Sequence, residues 1–251
     1  MGALQGKTAV VTGGSRGFGR GIVESLAAEG MRVVAIARNE DGLAALKRDV
    51  KGDIATVSGD VTDAIFAARV IEREKPDVLV LNAGARGLNR PTRLHSWETF
   101  STQFNVDVKS AFIWTREALM LPLPKGSAVI IGSSGAALRP MFVNAGYAAA
   151  KSALWAFAQG VAGEASQSGI RVHCLLPVMA PDSEVGREAL KDFSKYTGVA
   201  VEKIIEDKGM KPPVTPDIVG KAVVEILTDP VNADVIGFRI TGAGLHAIKQ
   251  G

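Results

Sequence analysis

The chain has 251 residues, of which 47% are hydrophobic, and this is enough to bury the core of one large α/β domain. Its 29 lysines and arginines against 26 aspartates and glutamates give a net charge of +3, and the basic residues are dispersed, which argues against nucleic acid as a partner. Cys174 is the only cysteine, so an internal disulfide is excluded. With no run of 18 apolar residues and no signal-like start, we expect no membrane association and a cytoplasmic location.

The first predicted element is a short strand that leads into a glycine-rich turn. Residues 7–12 are mostly β-branched and apolar, residues 12–19 read TGGSRGFG, and the helical pattern that follows stops at Gly30. Strand, turn and helix in this order predict a site where the backbone approaches a pyrophosphate and the helix N–H groups meet its charge. The candidate cofactor-binding residues of the turn are Gly13, Ser15, Arg16, Gly17, Phe18 and Gly19.

The residues after the second predicted strand, 33–37, favour NADP over NAD. A carboxylate at this strand end would hold the ribose 2′-hydroxyl, but the chain has Arg38 and Asn39 there. The guanidinium groups of Arg38 and Arg16 could instead converge on a 2′-phosphate. The alternative is that both arginines are ordinary solvated side chains.

Helices and strands alternate along the rest of the chain. The patterns predict a helix over 43–50, a strand over 54–58, a helix capped by Thr62, a strand over 77–81, one long helix capped by Ser96, strands over 128–131 and 170–176, a helix over 215–227 and a last strand over 235–240. Wholly apolar strands between helices predict a single domain with a doubly wound, Rossmann-type parallel sheet that has helices on both faces. Asp60, Asn82 and Ser134 fall at carboxyl ends of strands, where such sheets bind ligands.

One region, from about 178 to 213, interrupts the alternation. It follows Pro177 and carries apolar residues such as Phe193 and Ile204 in an irregular, partly amphipathic stretch. Two interpretations stay open. The region forms a lid over the substrate site, or it forms one or two packed peripheral helices.

Tyr147 and Lys151 are four residues apart in an alanine-rich run, so a helix would place the phenol and the ammonium on one face. A cation close to a phenol favours the phenolate, and the pair can therefore donate or accept a proton. Ser134 follows a predicted buried strand, thirteen residues before the tyrosine. Its hydroxyl could hold a carbonyl oxygen beside the phenol.

Together these motifs resemble the short-chain dehydrogenase/reductase family in its form of about 250 residues. The match covers nearly the whole chain and includes the glycine-rich turn from Thr12 to Gly19, Asp60, Asn82-Ala83-Gly84, Ser134, Tyr147-x-x-x-Lys151 and Pro177. The resemblance implies interconversion of an alcohol and a carbonyl with NADP(H), or with NAD(H). In it, Tyr147 is the acid/base, Lys151 favours the phenolate and binds the nicotinamide ribose, and Ser134 orients the carbonyl.

The resemblance also implies further contacts and an assembly. Cofactor contacts are expected from Asp60, Val61, Asn82, Ala83, Gly84 and Pro177, in addition to the glycine-rich turn, Tyr147 and Lys151. Proteins of this family are usually dimers or tetramers, so a homodimer or homotetramer is expected.

Three positions depart from the family pattern. Asp107 stands where the family usually carries an asparagine that supports a water leading to the lysine, and Asn105 would face another side of the helix. An ionised Asp107 would partly neutralise the field of Lys151, so alcohol oxidation is expected to have its optimum at higher pH than in an Asp107→Asn variant. Val178 and Asp182 replace a common glycine and threonine, which leaves the nicotinamide contacts after Pro177 open.

The sequence favours an enzyme and leaves a second function open. The leading hypothesis is an NADP-dependent reductase, and the alternative is a sensor or scaffold that binds NADP(H) without turnover. Met141 and Phe142 predict an apolar or mixed substrate pocket, while Arg139 faces either a substrate carboxylate or solvent. The three histidines are scattered without ligand spacing, so no metal site is expected.

Overall fold

A computed structural model describes residues 2–121, 123–208 and 210–248, and position 209 of the predicted lid lies outside these ranges. Eight strands form one sheet: β1 (Thr8–Thr12), β2 (Arg32–Ala37), β3 (Ile54–Ser58), β4 (Val78–Leu81), β5 (Ala128–Gly132), β6 (Arg171–Pro177), β7 (Gly237–Thr241) and β8 (Gly244–Ala247). The helices are α1 (Gly17–Ala28), α2 (Glu40–Asp49), α3 (Ala64–Glu74), α4 (Trp97–Phe100), α5 (Lys109–Met120), α6 (Ala145–Gln167), α7 (Glu184–Thr197), α8 (Val201–Asp207) and α9 (Pro216–Thr228).

The order of the strands in the sheet is β3-β2-β1-β4-β5-β6-β7-β8. All neighbouring pairs from β3 to β7 are parallel, and β8 pairs antiparallel with β7 at the edge. The order reverses between β1 and β4, which opens a crevice at the carboxyl ends of these two strands. The predicted doubly wound sheet is confirmed.

Neighbouring residues of a strand belong to two different hydrophobic cores. Val11 lies in the core that contains Ile22 of α1 and Val223 of α9. Val10 lies in the core on the other face of the sheet, with Val70 of α3 and Trp114 of α5. Because helices cover both faces, the central strands β1, β4 and β5 are apolar along almost their whole length, and this is the pattern that the sequence displays.

The sequence predicts one long helix after Ser96, but in the structure this helix is interrupted. Ser96 does begin a helix, with a capping box to Thr99, but α4 ends at Phe100. A π-helical turn over Phe104–Val108 precedes α5. Such a turn contains one more residue than an α-helical turn, and it is where the buried Asp107 enters the core.

Two smaller predictions are also corrected. Asp63, and not Thr62, caps α3, because its carboxylate accepts the N–H groups of Ile65 and Phe66. The hydroxyl of Thr62 instead donates to Asp60. The strand predicted as the last is followed by β8, a short and half-exposed segment without an apolar pattern.

The region predicted as a lid contains two helices. A small hydrophobic cluster joins Leu190 of α7 to Ile204 of α8 and to Met210. The second of the two interpretations, packed peripheral helices, therefore describes its secondary structure. Closure over a substrate stays a prediction.

Candidate active site

Thr12 joins the glycine-rich loop to the Asn82-Ala83-Gly84 segment. Its buried hydroxyl donates to the carbonyl oxygen of Val80 at 3.2 Å and accepts the N–H groups of Asn82 and Ala83 at 3.0 and 3.2 Å. The side-chain amide of Asn82 reaches back to the carbonyl oxygen of Gly13 at 3.4 Å. The sequence motifs assigned no separate role to Thr12. Its position as a polar residue at the end of an apolar strand is the signal that could have indicated one.

The glycine loop is folded tightly on its inner side and is open on its outer side. Gly13 and Gly17 have φ angles of 68° and 56°, which favour glycine. A Cβ atom on Gly19 would lie 2.1 Å from the carbonyl oxygen of Gly13. A Cβ on Gly17 would meet nothing within 4 Å. The loop is therefore held from within, while its outer surface can be approached closely by a ligand.

The N-terminus of α1 has the free donors that an anion requires. Helices α2, α3, α7 and α9 each begin with a side-chain oxygen that accepts a backbone N–H of the first turn. In α1 the N-cap residue is Arg16, whose side chain makes no such bond. The first N–H groups of α1 and the positive end of its dipole are thus available to an anion, and binding of a pyrophosphate there stays a prediction.

The other candidate cofactor residues surround this loop. Asp60 accepts the backbone N–H and the hydroxyl of Thr62, and these bonds, aided by the charge of Arg38, lower the pKa of its carboxyl against a smaller effect of burial. The carbonyl oxygen of Val61 accepts the indole N–H of Trp114 at 3.0 Å. The charge of Arg38 acts on Asp60, and the charge of Arg16 acts weakly on Glu184. Convergence of the two arginines on one phosphate stays a prediction.

Lys151 is buried at the centre of the site. Its Nζ lies 3.0 Å from a carboxylate oxygen of Asp107 and donates to the carbonyl oxygen of Gly132 at 3.1 Å. Burial acts to lower the pKa of Lys151, but the charge of Asp107, with further contributions from Tyr147 and the hydrogen bond to Asp107, outweighs it and raises the pKa. The side chain is therefore held as an ammonium with one N–H group left to donate.

Tyr147 and Lys151 lie on one face of α6, as the spacing predicts. The ammonium nitrogen is 5.7 Å from the centroid of the Tyr147 ring. Ser134, at the end of the segment after β5, begins a short 3₁₀ turn and accepts the N–H of Ala136 at 3.2 Å. The structure thus places a phenol beside a fixed cation, and the approach of the Ser134 hydroxyl to the phenol stays a prediction.

A family model described as short chain dehydrogenase matches residues 7–192. The chain belongs to this family. A tropinone reductase homolog from Arabidopsis thaliana is 35% identical over 213 residues, which cover 80% of this chain and 79% of that protein. Family membership makes the protein a short-chain dehydrogenase/reductase of the oxidoreductase class.

Two solved structures share the fold. Actinorhodin polyketide ketoreductase with NADPH has a TM-score of 0.82 at 24% identity, covering 97% of this chain and 98% of that chain. NAD⁺-bound xylitol dehydrogenase has a TM-score of 0.84 at 19% identity, covering 96% and 99%. At these identities the likeness concerns the architecture alone.

Asp107 is the main departure of this short-chain dehydrogenase, and the structure places it in contact with two parts of the site. One carboxylate oxygen binds Lys151, and the other accepts the N–H of Ala85 at 2.8 Å. A Cβ on Gly84 would lie 2.9 Å from Asp107, so a glycine is needed there. Asn105 is exposed and donates to the hydroxyl of Ser101, which confirms that it does not reach the lysine.

The segment after Pro177 follows a defined course. The N–H of Val178 donates to the carbonyl oxygen of Ile240 at 2.9 Å, which extends the pairing of β6 with β7. Asp182 is exposed, and its backbone carbonyl accepts the guanidinium of Arg187. Within residues 2–121, 123–208 and 210–248, no three metal-binding side chains are grouped around a possible ion. In the same ranges, no helix combines the length and apolar character needed to cross a bilayer.

Proposed function

We propose that the protein interconverts a carbonyl and a secondary alcohol by hydride transfer with NADP(H), and that Tyr147 is the acid/base. The observation that carries the proposal is the buried ammonium of Lys151, which Asp107 and Gly132 fix beneath the Tyr147 ring. An ammonium held in this position favours the phenolate form of the tyrosine. A protein that only binds a nucleotide has no need for such a pair.

The cofactor would be held by groups that the fold already orients. The first N–H groups of α1 and the open side of the glycine loop suit the pyrophosphate, and the remaining donor of Lys151 suits a ribose hydroxyl. Arg16 and Arg38 are exposed and suit a 2′-phosphate. One structural neighbour binds NADPH and another NAD⁺, which supports a nicotinamide cofactor in general. The bound nicotinamide supplies or accepts the hydride.

The chain's own residues handle the proton and the oxygen. During reduction, the phenol of Tyr147 donates its proton to the substrate oxygen while the hydroxyl of Ser134 donates a hydrogen bond to the same oxygen. Lys151 stabilises the phenolate that remains. During oxidation the same groups act in reverse, and Tyr147 accepts the proton of the alcohol.

The substrate would enter between α7 and the segment that joins β5 to α6. Phe142 of that segment and Phe193 of α7 have ring centroids 6.0 Å apart, and Leu138 of the same segment is exposed. These side chains favour an apolar or mixed substrate over a strongly charged one. The tropinone reductase homolog supports the reductive direction. Assembly into a homodimer or homotetramer belongs to the same proposal, and light scattering of the purified protein tests it.

The first experiment measures nucleotide binding and turnover together. Fluorescence titration of wild type should give tighter binding of NADPH than of NADH, and an Arg16→Ala/Arg38→Ala variant should remove the difference. A panel of ketones with NADPH then reports turnover. Tyr147→Phe should reduce turnover about 100-fold or more.

Tyr196→Phe is the matched control, because Tyr196 is the chain's other tyrosine and lies on α7. Its turnover should equal that of the wild type. Retained turnover in Tyr147→Phe would overturn the assignment of the acid/base. Tight NADPH binding without turnover on any ketone or alcohol would favour the alternative, a sensor or scaffold.

A further inference from the structure

One face of α7 is acidic and is turned toward the connection that follows Gly84. Glu184, Glu188 and Asp192 are spaced by four residues, so they share a face of the helix. The guanidinium of Arg86 lies 2.5 Å from a carboxylate oxygen of Glu184 and 3.5 Å from one of Glu188. The side-chain amide of Asn89 lies 3.5 Å from a carboxylate oxygen of Asp192. We call these five residues the clasp.

The clasp lies beside the Asn82-Ala83-Gly84 segment, which is one of the two segments assigned to the nucleotide. Arg86 directly follows Ala85, whose N–H binds Asp107. The hydrogen bond and charge of Arg86 lower the pKa of Glu184, and the charges of Arg16 and Arg187 contribute in the same direction. The first turn of α7 is therefore tied to the connection that follows Gly84, at one side of the crevice.

The ion pairs of the clasp are formed by exposed groups, while Asn89 and Asp192 are half-buried. The side chains of Arg86, Glu184 and Glu188 are 40%, 62% and 54% exposed. Ion pairs with this exposure are weak and are screened by salt. Away from the clasp, α7 packs through the small cluster of Leu190 and through Phe193. A helix fastened in this way can detach at its N-terminal end without disturbing the main cores.

We propose that Arg86 is a positioning residue that holds the N-terminal end of α7 beside the crevice, and that breaking its ion pairs with Glu184 and Glu188 opens the crevice for entry and release of the nucleotide. The part of this inference that concerns the nucleotide rests on the proposed function. The part that concerns α7 does not, because it follows from contacts within the free protein.

Hydrogen exchange of the α7 backbone in the free protein tests the holding role. At low salt, Arg86→Met should increase the exchange rate of amides in α7 about two- to tenfold. Added salt should raise the exchange rate of the wild-type α7 amides toward that of the variant. Arg93→Met is the matched control, since Arg93 is an exposed arginine of the same connection, and it should exchange like wild type. Equal exchange in Arg86→Met and wild type would overturn the proposal.

Stopped-flow displacement of bound NADPH tests the opening role. The dissociation rate should rise by a similar factor in Arg86→Met and in Glu184→Gln/Glu188→Gln, and the combined variant should add little to either. The exchanged pairing Arg86→Glu with Glu184→Arg/Glu188→Arg should restore the slow rate. Unchanged dissociation despite faster α7 exchange would overturn the opening role. Failure of wild type to bind any nicotinamide nucleotide would instead refute the proposed function, and the exchange result would still decide the role of Arg86.

Discussion

Two cations beside the crevice, Lys151 and Arg86, are paired with carboxylates in opposite environments. Lys151 and Asp107 have side chains only 9% and 3% exposed, whereas those of Arg86 and Glu184 are 40% and 62% exposed. A hydrogen bond links the two pairs in space, since Asp107 accepts the N–H of Ala85 and the next residue in the chain is Arg86. Breaking the buried pair strands a charge away from water, while water can replace either partner of the exposed pair. The first pair is thus suited to fixing a catalytic group and the second to opening.

The largest expected effect comes from breaking the buried pair. Asp107→Ala leaves the ammonium of Lys151 and the N–H of Ala85 without their acceptor. The free energy of unfolding should fall by about 3–5 kcal/mol, measured by urea denaturation at neutral pH. Arg86→Met is the comparison from the exposed pair and should cost less than about 1 kcal/mol.

Asp107→Asn is the matched variant for this measurement, because its amide oxygen can still accept the N–H of Ala85. Its loss of stability should lie between those of Asp107→Ala and Arg86→Met. Similar losses in Asp107→Ala and Arg86→Met would contradict the comparison, since burial would then not distinguish the two pairs.

A smaller effect on the free energy of unfolding is expected from His173. This buried side chain has a carbonyl oxygen as its partner, and not a carboxylate. Its Nδ1 lies 2.8 Å from the carbonyl oxygen of Val235, and its Nε2 has no partner in the described part of the chain. Burial lowers the pKa of His173 to about 4, while the bond to Val235 opposes this shift and the charge of Arg171 adds to it. Without a counter-charge, burial favours the neutral imidazole ring of His173. In Lys151, the neighbouring carboxylate of Asp107 keeps the buried side chain charged.

Because this pKa is lower in the folded state, the unfolded chain binds the extra proton between pH 6.5 and 4. The stabilisation is complete above pH 6.5 and is lost as the pH falls toward 4, by about 3 kcal/mol. His173→Asn keeps a donor near Val235 but does not titrate, so its stability should fall less over this range. Denaturation curves that decline in parallel for the two proteins would rule out His173 as the cause.

The fold follows from local patterns, and the site follows from them only in part. Apolar strands, the glycine-rich turn and the spacing of Tyr147 and Lys151 depend on neighbouring residues, and they predicted the sheet and the shared face of α6 correctly. These patterns did not predict the break after Phe100, because the amphipathic pattern continues through the π-helical turn. That turn is defined by how its side chains pack against the rest of the molecule, which a periodic pattern does not encode.

Ion pairs were the least predictable part of the site. The sequence placed Asp107 near Lys151 only through a family resemblance, and nothing in it joined Arg86 to α7. The residues of the second contact are about 100 positions apart, and their meeting depends on the course of the chain after Pro177.

The smallest expected effect is a shift in the pH dependence of alcohol oxidation. In wild type, the carboxylate of Asp107 balances the charge of Lys151, so the phenolate of Tyr147 is favoured less than it would be beside an unbalanced ammonium. Asp107→Asn should therefore move the rise of kcat/KM with pH to lower values by about one unit. The measurement uses NADP⁺ and whichever secondary alcohol the screen identifies, from pH 6 to 10, with Glu72→Gln as a control, since Glu72 is an exposed carboxylate of α3.

The direction of the shift separates two consequences of removing the carboxylate. Asp107 also raises the pKa of Lys151 against the effect of burial, so a neutral asparagine weakens the hold on that proton. If the lysine keeps its proton, the unbalanced cation favours the phenolate and the profile moves to lower pH. A shift to higher pH would mean that the lysine has become neutral, and Asp107 would then serve to keep the cation charged. Identical pH profiles of kcat/KM in wild type and Asp107→Asn would show that Asp107 takes no part in the proton chemistry. Its role would then be to link Ala85 to Lys151.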